Sequence, residues 1–192
     1  APTEIYTLSL HDALPISYPR WKRGEFCEPA ASRYRQHPLD YLASMREVFN
    51  LLYSECGPDG MASVRGIAID TTASTPCAVD ASGVPLSMHD DFASDPDAMF
   101  ILWKDHTATE EARLITDTAR TWGGEDFTRY EGGVYSAEWF WAKALHILRT
   151  NRHVASRAAS FVEHADWMSA LLTGVTSIRE IGRASCRERV EI

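Results

Sequence analysis

Residues 64–69 form an apolar run, Val64-Arg65-Gly66-Ile67-Ala68-Ile69, that stops on a carboxylate and a row of hydroxyls, Asp70-Thr71-Thr72-Ala73-Ser74-Thr75. Further along, the apolar residues Met99-Phe100-Ile101-Leu102 run into Trp103-Lys104-Asp105-His106. In an open α/β sheet, ligands gather beyond the carboxyl ends of the strands. Both stretches are therefore candidates for contact with a small ligand rich in hydroxyls. Backbone groups after a strand, with the hydroxyls of Thr71, Thr72 and Ser74, supply the donors and acceptors that such a ligand needs. A lysine beside an aspartate supplies them in charged form. On the residues alone a second reading stays open: strand-end turns use the same residue types, and Lys104–Asp105 also reads as a solvated ion pair of little energetic weight.

Three other groups qualify. Glu138 stands at the start of a helical pattern and is placed to face a cleft, whereas the aromatic residues around it, Tyr135, Trp139, Phe140 and Trp141, read at helical spacing as core. Glu163, His164 and Asp166 cluster near a strand end, where Asp166 reads as a helix cap rather than a metal ligand. His106 reads as a hydrogen-bonding neighbour rather than a base.

The elements that must position these residues follow from periodicity. Residues 18–28 read as the tail of a strand entering a loop. Leu39, Leu42, Met45, Val48, Phe49 and Leu52 repeat at helical spacing behind Pro38, and Gly57-Pro58-Asp59-Gly60 stops that helix. Residues 64–69 read as a strand. Residues 75–80 and 84–86 read as a hairpin around Gly83, 90–98 as an acidic loop, and 99–102 as a short strand. Residues 109–122 read as a helix capped by Thr109 and favoured by Glu110 and Glu111. A helix over 137–149 starts from Ser136. A short helix over 154–159, a strand at 161–162, and a helix over 165–172 ending before Gly174 complete the pattern. The alternation predicts an α/β fold with helices on a sheet.

The chain has 192 residues and a formal charge of −8, with 45% hydrophobic and 24% charged residues. That is globular material with enough length for one cored domain. The acidity gives no electrostatic basis for binding nucleic acid, and no apolar run reaches membrane-spanning length. Of the four cysteines, Cys186 lies in the carboxyl-terminal stretch that reads as adapter-derived; the other three, Cys27, Cys56 and Cys77, are scattered and odd in number, which reads as reduced thiols in cytoplasm. No GxxxxGK[ST] and no GxGxxG phosphate loop occurs.

Six blocks occur in order: Ser17-Tyr-Pro-Arg-Trp-Lys-Arg-Gly, Gln36-His-Pro-Leu-Asp-Tyr, Asp70-Thr-Thr-Ala-Ser-Thr, Trp103-Lys-Asp-His-Thr, Tyr135-Ser-Ala-Glu-Trp and Glu163-His-Ala-Asp-Trp. With them the chain closely resembles the FGGY carbohydrate kinases over residues 17–174. The Trp103-Lys-Asp-His block marks the ribulokinase branch. The resemblance implies the amino-terminal domain of a sugar kinase with a ribonuclease-H-like (actin-like ATPase) core, truncated, occupying residues 17–180. It implies transfer of a phosphoryl group from ATP, with Mg²⁺, to the terminal hydroxyl of L-ribulose. The sugar is expected at Thr72, Ala73, Lys104, Asp105 and Glu138. The family's phosphate loop, base aspartate and adenosine pocket are not found in this stretch, so it is expected to carry no catalytic residue, bind no ATP or metal alone, and have no kinase activity. A kinase for another ketose or polyol, or a non-catalytic sugar-binding module, are the alternatives. The expected partner is a small sugar, not nucleic acid or membrane, and monomer and homo-oligomer both stay open.

The ends read differently. Thr7-Leu-Ser-Leu-His-Asp-Ala-Leu-Pro-Ile16 can be encoded by a DNA string whose reverse complement, read from its second base, encodes Ile181-Gly-Arg-Ala-Ser-Cys-Arg-Glu-Arg-Val190. Residues 1–16 and 181–192 are therefore expected to derive from opposite strands of one sequencing adapter, outside the fold.

Overall fold

The structure, a computed structural model, describes residues 18–181. Nearly all of both adapter-like ends lies outside the described residues. Ile181 alone is among them, partly buried against the first core cluster described below.

Among the described residues five strands make two small antiparallel sheets. β1 (Cys27–Glu28), β2 (Arg33–Gln36) and β4 (Phe100–Ile101) form one, in the order β1-β2-β4. β3 (Pro76–Val79) and β5 (Ser160–Glu163) form the other, with Cys77 opposite Val162. All four residues of β3 are buried, and their alternation divides the core. Cys77 and Val79 join Tyr41, Phe100, Val162, Trp167 and Met168 on one side. Ala78 joins Leu86, Phe92, Ala98, Ile101, Ile147 and Val154 on the other. A strand covered on both faces reads as an unbroken apolar run.

The helices pack outside these layers. α1 (Pro19–Lys22) replaces the expected strand tail. It is held by Asp40, whose carboxylate accepts from the Arg20 and Trp21 amides and from Arg20 Nη1 at 2.8 Å. α2 (Pro38–Ala62) begins as expected, with Pro38 in its first turn and the His37 ring nitrogen accepting from Leu39 N. Gly57, at φ 64° and ψ −175°, breaks it, and a last helical stretch follows the break. α3 (Thr109–Thr121) and α4 (Phe140–Thr150) meet through Ala108, Ala112 and Ala142, small residues that let the backbones approach closely. α5 (Arg152–Arg157) is capped by Asn151, and α6 (His164–Thr173) ends on Gly174 at φ 71°.

Several expectations are corrected. Residues 64–69 form no strand: they are irregular, with no ladder partner among the described residues, and Val64 and Ile67 are 50% and 58% exposed. An apolar run becomes a strand only where another strand meets its N–H and C=O groups, and among the described strands none lies beside this one. The expected hairpin at Gly83 closes with one bridge, Val79 to Pro85. Thr109 is the first helical residue rather than the cap, its hydroxyl donating back to the His106 carbonyl. Ser136 caps a turn ahead of α4, accepting from Glu138 N, and the helix starts behind Trp139. Glu163, not Asp166, takes the cap position of α6, and Asp166 is buried. Trp141, expected in the core, is 66% exposed.

Candidate functional site

The two polar stretches singled out in the sequence are joined by a residue from a third element. Lys143, on α4, carries three ammonium donors. Its Nζ donates to the carbonyl of Ser74 at 2.7 Å, of Leu102 at 2.8 Å and of Trp103 at 3.5 Å. The side chain is 1% exposed. Burial lowers its pKa to about 8, with the charges of Asp105, Glu163 and Glu138 acting to raise it and that of Arg35 to lower it. The sequence reading had Lys143 only as one member of a helical repeat. Its signal was the single cation within an otherwise apolar helical repeat, and in the fold it lies on a buried stripe with Ala144 and Ile147.

The 70–75 turn is built from its own hydroxyls. Thr75 Oγ1 donates to the Thr72 carbonyl at 2.8 Å, and Thr75 N donates to Glu163 Oε2 at 2.8 Å. Thr72 and Ala73 stay exposed at its tip, and the Ala73–Ser74 peptide is cis. Burial raises the Glu163 pKa, against the Thr75 amide, the Lys143 charge, the His164 amide and the Ser74 hydroxyl, all of which favour its anion. Glu163 thus holds Thr75 and Lys143 holds Ser74.

The 103–107 turn splits the Lys104–Asp105 pair. Asp105 is fully buried. One carboxylate oxygen accepts from Tyr34 N at 2.6 Å and from Arg35 Nη1, and the other from the amide and hydroxyl of Thr107 at 3.1 and 2.6 Å. Its expected contact with sugar is corrected accordingly: four protein donors occupy the carboxylate, which ties the turn to β2. Lys104 goes elsewhere, its Nζ lying 4.8 Å from the centre of the Trp21 ring and 4.6 Å from that of Tyr34. Two aromatic faces hold the cation in place. Neighbouring residues thus do opposite things, one anchoring inward and one presented on an aromatic platform.

Glu138 Oε1 lies 2.6 Å from His106 Nε2, both side chains about half exposed. The pair bridges the 103–107 turn to the loop ahead of α4. Thr72, Ala73, Lys104 and Glu138 thus lie on segments joined through Lys143 and the His106–Glu138 contact. Beyond Lys143, sequence reasoning missed Arg35 and the two rings under Lys104.

A hollow of about 510 Å³ lies apart from these groups, lined by Val64, Gly66, Ile67, Ile69, Ser169, Leu172 and Thr173. It has no charged lining and is not where the polar groups converge. Among the described residues no helix is long and apolar enough to cross a membrane.

Known proteins resemble this chain in fold and in sequence. Over 71% of its length the chain matches 25% of a xyloylose kinase from Brucella ovis, with a TM-score of 0.54 and 18% identity. The mixed α/β fold is that of a sugar kinase. In sequence, the chain is 42% identical over 171 residues to a ribulokinase of Vibrio parahaemolyticus, covering 89% of this chain and 30% of that protein. It is 36% identical to a ribulokinase of Mycolicibacterium smegmatis, covering 80% of this chain and 27% of that one, and 35% identical to one of Bacillus licheniformis, covering 72% and 25%. No protein-family model matches the chain. The chain belongs with the ribulokinases, and it spans less than a third of the length of these relatives.

Proposed function

We propose that this chain supplies the sugar-facing wall of an ATP-dependent, cytoplasmic L-ribulose kinase with a ribonuclease-H-like core. The Thr72–Ala73 tip, Lys104 and Glu138 hold hydroxyls of the ketopentose. Asp105 serves the site by fixing the turn that carries Lys104. The observation that supports this reading is the Lys143 bridge, which joins the Ser74 turn to the Leu102–Trp103 turn.

Phosphoryl transfer depends on positioning and on charge neutralisation, with Mg²⁺ on the phosphates and a carboxylate for the hydroxyl proton. Among the described residues no group of three or more His, Cys, Asp or Glu could hold a metal ion. In this reading the part of Thr72, Ala73, Lys104 and Glu138 is binding and orientation. Exposed Thr72 and Ala73 offer backbone groups, the Lys104 ammonium donates, and the Glu138 carboxylate accepts, a set suited to a polyol.

The test is a coupled assay with ATP and L-ribulose beside isothermal titration of the purified chain with L-ribulose. The expected outcome is saturable heat with L-ribulose and no turnover. Turnover by the chain alone, or heat with D-xylulose and none with L-ribulose, would refute the reading.

A further inference from the structure

We propose that Lys143 is a positioning residue whose buried ammonium draws the Ser74 carbonyl and the Leu102–Trp103 carbonyls together, and so sets the span between the two sugar-facing turns. The sugar-facing part of this statement rests on the function proposed above. The clamp itself stands on geometry: one donor group meets carbonyls from two segments at 2.7, 2.8 and 3.5 Å. No helix or sheet ladder joins those two segments, since Ser74 lies ahead of β3 and Trp103 beyond β4.

The charge is held without a direct carboxylate partner. Asp105 and Glu163 face it from the second turn and from β5, Glu138 from the loop ahead of α4, and Arg35 from β2. Asp105 is committed to Arg35 and Thr107, and Glu163 accepts from Thr75. The three carbonyls are therefore the ammonium's hydrogen-bond partners, and three donors match three acceptors only while the nitrogen is charged. A neutral amine has two N–H groups and no charge.

This arrangement separates clamping from stability. Lys143 falls from an ordinary value of 10.5 to about 8 on folding. Between these values the unfolded chain binds the extra proton, so this group makes the fold more stable as pH rises from about 8 toward 10.5. Over the same interval the clamp loses its charge and one donor. A lysine that merely braced the core would give no reason for the two turns to loosen while the fold holds.

Hydrogen exchange of the full chain reads the two turns directly, at residues 72–75 and 103–106, with β3 amides as internal reference. In K143M, exchange at both turns is expected to rise about tenfold relative to β3, the loss of charge-assisted hydrogen bonds. Should K143M fail to fold, the wild-type chain moved from pH 7 to pH 9.5 gives the same reading, again relative to β3. Turns that stay protected in both comparisons, or exchange that rises equally through β3 and β5, overturn the proposal. L-ribulose titration then separates the two claims. A loss of about tenfold in affinity in K143M supports both. A wild-type chain that binds no ketose, yet shows the coupled loosening, overturns the sugar-facing half and the proposed function while upholding the clamp.

Discussion

The Lys143 ammonium stands 2.7 Å from the carbonyl oxygen of Ser74, 69 residues away in sequence. That contact, with its counterpart to Leu102 at 2.8 Å, makes one surface of two turns. It sits beside a second buried cation, Arg35, whose guanidinium is paired with Asp105. The wall facing the proposed sugar is thus assembled from behind by two enclosed cations, each engaged by fixed oxygen acceptors.

The Asp105 carboxylate ranks first among the site residues for stability. Replacing it with alanine leaves the fully buried Arg35 guanidinium with the Asp97 carboxylate at 3.4 Å as its remaining ion-pair partner and frees the Tyr34 amide, a loss of about 3 kcal/mol, the lower end of the usual cost of breaking a buried ion pair. Urea unfolding of D105A should show a lowered midpoint with little change in slope. K104M, by contrast, should stay within about 1 kcal/mol of wild type, because only cation–π contact is removed.

Glu138 and His106 form a partly exposed pair and should matter for ligand more than for fold. E138A is expected to weaken L-ribulose binding by at least about tenfold, the weight of one hydrogen bond to a charged group. H106A should do less, since histidine orients the carboxylate and does not itself touch the sugar in this reading. Calorimetric titration of both variants gives the ratio; equal affinities for E138A and wild type would remove Glu138 from the site.

His164 makes the fold sensitive to acid. Its ring stacks on Tyr41 at 3.8 Å, and its Nε2 is buried with no hydrogen-bond partner. Burial lowers its pKa to about 4 from 6.5. Because the unfolded chain binds the proton more readily, this stability is present above about pH 6.5 and is lost as pH falls toward 4. The amount is on the order of 3 kcal/mol. H164F keeps an aromatic ring against Tyr41 and cannot titrate, so its melting temperature should fall less than that of wild type between pH 7 and pH 4.5.

The unpaired apolar stretch at residues 64–70 should drive self-association. Val64 and Ile67 are 50% and 58% exposed, and no described strand pairs with them. Exposed apolar chain with unpaired backbone groups can pair with a second copy. I67K should shift sedimentation toward the monomer without lowering the melting temperature, because Ile67 has little contact to lose.

Much of the fold was legible in the chain itself. The start of α2, the span of α3, the close of α6 on Gly174 and the strands at β3, β4 and β5 are local matters of periodicity, caps and backbone freedom. Such signals are carried by residues a few positions apart. The ordered motifs likewise pointed to the sugar-kinase family before any contact was known. The run at 64–69 failed for the opposite reason: its apolar residues meet the local requirement for a strand, but a strand exists only through its neighbours.

The sequence by itself determined the family, most of the helices and which two turns carry the polar groups. Only the tertiary structure decided that Asp105 turns inward to Arg35, that Lys104 rests between Trp21 and Tyr34, and that Lys143 ties the two turns together. Those three outcomes depend on partners 40 to 71 residues distant, or on rings supplied by another element. Hydrogen-bond pairing over such separations follows from how the layers pack, and it leaves no repeating pattern along the chain for a linear reading to find.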